Sequence, residues 1–376
     1  MKVTVKQDEL QRGLNIVSRA VSPRSTLPVL GNILIATDEG ELRLSATNLE
    51  MSLTCWIKCK TGEAGSTTVP ARTFADLVSA LPGDQVHLAL DTKAQNLNVK
   101  SGSSNNDIKC IDAADFPPIP TAELDGALQL KVSEFKGMIQ QVAFAASTDE
   151  ARPVLMGVLL NVEKDRVTMA AADGFRLSVR KAGLSSAVSQ PINLIIPARA
   201  LHELARVAGD GDEIVHMIVP KGRGQVVFRI KDVQLVAQLI DGSFPDYQQI
   251  IPRSYKQRTL VSTAALLKAC RQAEIFAREG LNVAKLEIRE AKGQMQPSEV
   301  QISATSEETG KNETIVEATV DGAGLLIAFN VKFLREALEV VGTPNVALET
   351  SASNAPGVVK PVGDDEFLHV IMPMHV

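Results

Sequence analysis

The feature that most constrains this 376-residue chain is that it repeats itself. Three short blocks recur in the same order. The first reads LSATNLE at 44–50, MAAADGF at 169–175 and ISATSEE at 302–308. The second reads TVPARTFADLVSAL from Thr68, IIPARALHELARVA from Ile195 and AFNVKFLREALEVV from Ala328. The third reads ADFPPIP from Ala114, GSFPDYQQIIP from Gly242 and IMPMHV from Ile371. Within it, Pro117, Pro245 and Pro373 are spaced by 128 residues in both intervals. That period is too long for a solenoid unit and is the size of a small domain. Three domains are expected, at 1–121, 128–252 and 258–376, with linkers near 118–128 and 252–258 that are rich in Pro or polar residues.

Each copy follows one plan. A short strand (KVTV, LQLKV or TLVS) opens it, and a helix follows. Leu10, Leu14, Val17 and Val21 share a face of the first helix. Phe135, Ile139, Val142 and Ala146 do so in the second copy, and Leu266, Cys270, Ala273 and Ala277 in the third. The i, i+4, i+7 spacing is helical. Alternating strands come next, separated by short polar turns such as DEG and EKD. A second helix follows VPAR, IPAR or FNVK. Its apolar places are Phe74, Leu77, Val78 and Leu81, then Leu201, Leu204, Ala205 and Ala208, then Leu334, Ala337, Leu338 and Val341. Pro70 and Pro197 stand at the helix start, where a missing N–H costs little. The fold class expected is α+β: three tandem two-helix domains of roughly eight strands each.

Composition excludes several classes. The net charge of −5 rules out a chain held to nucleic acid by bulk positive charge. One Trp, two Tyr and 4% aromatics leave too few rings for a base-stacking platform for single strands. No apolar run approaches the roughly 20 residues that span a bilayer. Cys55 and Cys59 alternate with polar residues on a strand, where four residues span roughly 13 Å, too far for a disulfide. Reduced thiols and a cytoplasmic location are expected. No P-loop, G-x-S-x-G elbow or metal-spaced His and Cys pattern occurs, so no catalytic residue, metal or cofactor is assigned. Asp364, Asp365 and Glu366 read as a solvated turn.

Charge is unevenly distributed. The six expected helices sum to +3, and the remainder of the chain to −8. Arg72, Arg199 and Lys332 stand in the first turn of the second helix of each copy. Lys136, Arg206, Lys268 and Arg271 lie off the apolar faces. Three domains in an arc leave a sheet edge free at each end. Head-to-tail association of two chains would close the arc into six domains and twelve helices. Helices lining the hole would present a mildly basic wall, suited to loose contact with duplex phosphates.

Over its whole length the sequence resembles the bacterial DNA polymerase III β-subunit family, the β sliding clamps. The resemblance rests on TLPVLGNILI, LSATNLEMSL, VPARTFADLVSALP, AADFPPIP, DEARPVLMGVLL, AADGFRLSV, IPARALHEL, DGSFPDYQQIIP, FNVKFLREAL and VIMPMHV, in that order. It implies a dimeric ring around duplex DNA, without sequence preference, acting as a polymerase processivity factor. The implied partners are a second copy of the chain, a clamp loader, the polymerase III catalytic subunit, and other polymerases and repair proteins carrying linear peptides.

The resemblance also implies sites. A peptide cleft would use Leu155, Gly174, Phe175, Arg176, Leu177, Pro245, Ile250, Asn330, Phe333, Val370, Ile371, Met372, Pro373 and Met374. Phe175 replaces the His common in the family, and Gln249 a basic residue found in some members. Arg24 and Arg152 match positions that approach DNA, and join Arg72, Lys136, Arg199, Arg206, Lys268, Arg271 and Lys332 as the DNA-facing set. Asn106, Ile108 and Cys110 match one side of the subunit interface, and Ile275 and Phe276 the other. Asn106 replaces an apolar residue, so a looser dimer is expected. The rival reading is a three-domain protein-binding adaptor that does not encircle DNA.

Overall fold

The computed structural model describes residues 1–22, 25–120, 124–184, 187–222, 224–291 and 297–375. Arg24 lies outside them. Six α-helices occur among these residues: α1 (Gln7–Val17), α2 (Ala71–Ser79), α3 (Val132–Val142), α4 (Ala198–Val207), α5 (Thr263–Ala277) and α6 (Val331–Glu339). Two fall in each copy of the repeat. Each copy contributes eight strands among the described residues, from Lys2–Lys6 to Ser104–Lys109, from Leu128–Lys131 to Val233–Gln238, and from Gln257–Ser262 to Phe367–Ile371.

The periodicities bury what they should. Leu10, Leu14, Val17, Phe74 and Val78 are wholly buried, as are Cys270, Ala273, Leu334 and Ala337. Val21 and Leu77 are only half-buried. α1 stops at Val17 and tightens into the 3₁₀ turn Ser18–Ala20, so Val21 falls beyond the helical face. Gly13 lets α1 lie close on the sheet: a Cβ there would meet Leu44 Cδ1 at 2.7 Å. Pro70 is the N-cap of α2, and Ser262 caps α5 through its hydroxyl. Burial pushes the Cys55 and Cys270 thiols up to about 12, so both behave as small protonated hydrophobes.

The chain clusters into two compact units, 1–135 with 203–239 and 136–202 with 240–376. The limits cut across the second copy of the repeat, and the sheets explain why. Each unit holds one 12-stranded sheet that joins two copies. In the first unit Met51–Glu63 pairs antiparallel with Val233–Gln238, from Ala237 against Met51 to Val233 against Cys55. In the second, Arg176–Gly183 pairs with Phe367–Ile371, from Ile371 against Arg176 to Phe367 against Arg180. Both seams use corresponding strands: the one after the first sequence block, and the last strand of the following copy. An exposed edge strand offers unpaired N–H and C=O groups, and each seam satisfies them by main-chain pairing.

Candidate docking cleft

The cleft residues expected from sequence all fall in the second unit, around its seam. Gly174 turns the hairpin between Arg166–Ala172 and Arg176–Gly183 at φ +94°, a conformation that favours glycine. The turn is held by Asp173, whose carboxylate accepts the backbone N–H of Phe175 at 2.9 Å and of Arg176 at 3.0 Å. Phe175 is left 59% exposed at its tip.

The C-terminal tail is tied down on both sides. Met372 N donates to the Phe175 carbonyl at 2.9 Å, and Met374 N to the Ala328 carbonyl at 2.8 Å. Pro373 forms a bridge with Phe329. The tail therefore extends the seam, and Met372 is exposed beside Phe175. Leu177 and Val370 form the floor, in a buried cluster with Leu159, Val179 and Val358. Val154, Phe244, Tyr247 and Ile251 pack against that cluster. Pro245 and Ile250 are exposed on the same segment, and Leu155 is half-buried in the 3₁₀ turn Pro153–Met156.

Some expected cleft residues serve as framework. Arg176 keeps only 8% of its side chain exposed. It donates to Asp173 at 3.0 Å, to the Phe144 carbonyl at 2.8 Å and to Glu336, and its guanidinium lies 4.2 Å from the Phe333 ring centre. Asn330 is the N-cap of α6, accepting from Lys332 N and Phe333 N. Ile371 is buried within the ladder. These groups hold the wall and floor, while Phe175, Pro245, Ile250 and Met372 present apolar surface.

Sequence reasoning passed over His369, which lies in the seam directly under the floor. It is fully buried, stacked on Phe144 with ring centres 5.4 Å apart, and its Nδ1 is 2.5 Å from Ser178 Oγ. Desolvation, with Arg176 nearby, pushes its pKa down to about 3, so the ring is neutral. Its only sequence signal is a lone histidine in an apolar strand.

The basic residues are placed on helices but are partly paired. Arg72, Arg199 and Lys332 are exposed in the first turns of α2, α4 and α6. Asp76 stands 3.7 Å from Arg72, and Glu336 4.0 Å from Lys332. Arg206 pairs with Glu203 at 2.8 Å and Arg271 with Glu339 at 3.0 Å. Lys268 is exposed on α5, and Lys136 is half-buried on α3. Arg152 donates to Asp149 at 2.9 Å and to the Asp173 carbonyl at 3.2 Å, which ties it to the turn behind Phe175.

Of the expected interface residues, Ile108 is buried within its own unit, and Phe276 packs on the core of the third copy. Asn106 donates to Ser104 Oγ at 2.9 Å on the edge strand. Cys110 is half-buried, its thiol 3.4 Å from the Ile108 carbonyl. Ile275 is 59% exposed on α5, and Ile315 is 55% exposed on Gly310–Asp321. Among the described residues, no group of three or more His, Cys, Asp or Glu side chains is arranged to hold a metal ion. No helix among them is long and apolar enough to cross a membrane.

Three family models cover nearly the whole chain. The N-terminal, central and C-terminal domains of the DNA polymerase III beta subunit match residues 1–120, 129–246 and 248–375. A beta sliding clamp of Staphylococcus aureus is 33% identical over 384 residues, covering all of this chain and 99% of the relative. The crystal structure of the DNA polymerase sliding clamp of Bacillus subtilis superposes with a TM-score of 0.93 at 30% identity, covering 100% of this chain and 99% of that one. A sliding clamp from Pseudomonas aeruginosa bound to griselimycin superposes at 0.91 with 28% identity, both chains covered in full.

Proposed function

This chain belongs to the DNA polymerase III beta-subunit family, the beta sliding clamps, and on that premise we propose how it works. Its function is that of a DNA polymerase processivity clamp. Two copies close head to tail around duplex DNA, and the ring slides without reading sequence. The cleft around Phe175 and Met372 holds linear peptides of the polymerase III catalytic subunit, the clamp loader, and other polymerases and repair proteins. We read the chain as a non-catalytic accessory subunit of the cytoplasm, with repeat domains at 1–121, 128–252 and 258–376.

One observation carries the ring. Each internal seam joins the strand after the first sequence block to the last strand of the next copy. In the third copy the corresponding strand is Gly310–Asp321. It pairs with Glu299–Ser306 through residues 310–317 and with Gln257–Ser262 through 318–321. The other side of 310–317 has no ladder among the described residues. In the first copy the last strand, Ser104–Lys109, pairs only with Asn96–Ser101 among the described residues. The two open edges are the two halves of a third seam, and a second copy of the chain supplies the missing half of each. Ile275 and Ile315 add exposed apolar surface beside one edge.

The test is retention on a nicked circular plasmid after loading, followed by linearisation. A topological link predicts that the chain stays on the circle in 0.5 M salt and runs off within minutes of cutting. Equal retention on both forms, or a monomer by light scattering at micromolar concentration, would leave only an adaptor.

A further inference from the structure

The two internal seams differ in one row of side chains. At the second, Ala170 faces Val179, and Val179 faces Leu368. The row is apolar and is covered by Phe244 and Tyr247. At the first, the same register holds Ser45, Thr54 and Gln234. All three are at least 96% buried. The Ser45 and Thr54 hydroxyls bond each other at 3.0 Å, and Gln234 Nε2 donates to the Pro120 carbonyl at 3.0 Å. Among the described residues nothing fills the space above the polar row. A cavity of about 220 Å³ lies between it and the segment at 116–119.

Arg43 and Trp56 also line this cavity. Among the described residues Arg43 Nε has no hydrogen-bond partner, but it is closed off inside the protein, so a ligand in the cavity meets the outer end of this side chain, which is 31% exposed. The nearest carboxylate, Asp38, is 3.7 Å from Arg43 Nη1 and already accepts the Trp56 indole N–H at 3.0 Å. A second cation, Arg229, lies 3.8 Å from the centre of the Trp56 ring. A carboxylate answers the outer end of a guanidinium with two parallel hydrogen bonds. The remaining walls, Leu34, Phe116, Pro117, Pro118 and Ile119, are apolar.

We propose that this cavity binds a small carboxylic acid with a flat apolar body. The carboxylate engages Arg43, and the body lies against Trp56 beneath Pro118 and Ile119. The volume is below the range of about 300–1,000 Å³ typical of drug-sized ligands, which limits the ligand to a single ring or a short branched chain. None of the docking-cleft residues takes part.

Trp56 is the only tryptophan, so its fluorescence reports on this cavity without ambiguity. Benzoate is the probe, benzamide its uncharged counterpart, at constant ionic strength, with calorimetry of the same titrations as a second readout. Expected is saturable binding of benzoate, with benzamide weaker by about tenfold or more. Arg43→Gln should weaken benzoate by a similar factor and leave benzamide unchanged. The triple variant Ser45→Ala, Thr54→Val, Gln234→Leu copies the second seam and should lose both. If that variant does not fold, Arg43→Gln alone decides. Equal affinity for the two probes, no saturable heat, or benzoate binding unaffected by Arg43→Gln would overturn the proposal.

Discussion

Arg176 and Phe175 are neighbours in sequence with opposite assignments, and only burial separates them. The guanidinium of Arg176 is spent on Asp173, Glu336 and two aromatic faces, so it braces the cleft from behind. Phe175 keeps most of its ring in water. Phe175→Ala is expected to raise the Kd of a clamp-binding peptide about tenfold, read by fluorescence polarisation, with little change in melting temperature. His369 gives a stability signature of its own. Its folded pKa, about 3, lies below the usual 6.5, so the unfolded state takes up a proton first as pH falls. Its neutral form therefore costs nothing above pH 6.5, and stability is lost as pH drops from there toward 3. The slope approaches about 1.4 kcal/mol per pH unit. Urea unfolding at pH 7 and pH 5 should show this loss, and His369→Leu with Ser178→Ala should lack roughly 1–2 kcal/mol of it. An identical pH dependence in that variant would remove His369 from the account.

At the scale of elements, strand edges decide which residues matter. Ile108 is an interface position by resemblance, and its side chain turns inward at 6% exposure, so what its edge strand offers a partner is main chain. Asn106 on the same edge strand is half-exposed and hydrogen-bonded locally. Ile275→Glu, on the exposed face of α5, should raise the dimer dissociation constant at least about tenfold by light scattering over a dilution series. An unchanged dimer would place the contact elsewhere. Inside the third copy, Gly357 and Phe329 are packed flush: a Cβ on Gly357 would lie 2.5 Å from Phe329 Cζ. Gly357→Ala should cost about 1–3 kcal/mol in urea unfolding, whereas Gly31→Ala, with open space around the added carbon, should be near neutral.

At the scale of the whole molecule, the proposed ring calls for helices of sparse charge. Local carboxylates stand close to Arg72, Arg206, Arg271 and Lys332, which fits the loose phosphate contact proposed for them. Reversing Arg72, Arg199 and Lys332 to Glu should shorten retention on circular DNA about tenfold at 0.1 M salt, and leave peptide docking intact. Loss of docking as well would point to misfolding instead.

The repeat, the six helices and their buried faces were legible in the sequence, because a 3.6-residue period and a 128-residue recurrence are local or self-referential patterns. The apolar tail at 371–374 was legible for the same reason. What only the tertiary structure decided is which strands seal one copy to the next, since ladder pairing depends on residues 178–195 positions apart. That pairing turns Arg176 into a brace, hides His369, and leaves Ser45, Thr54 and Gln234 under a hollow where the second seam is filled. A sequence states the side chain at each position. Its exposure is set by the neighbour that arrives from elsewhere in the chain.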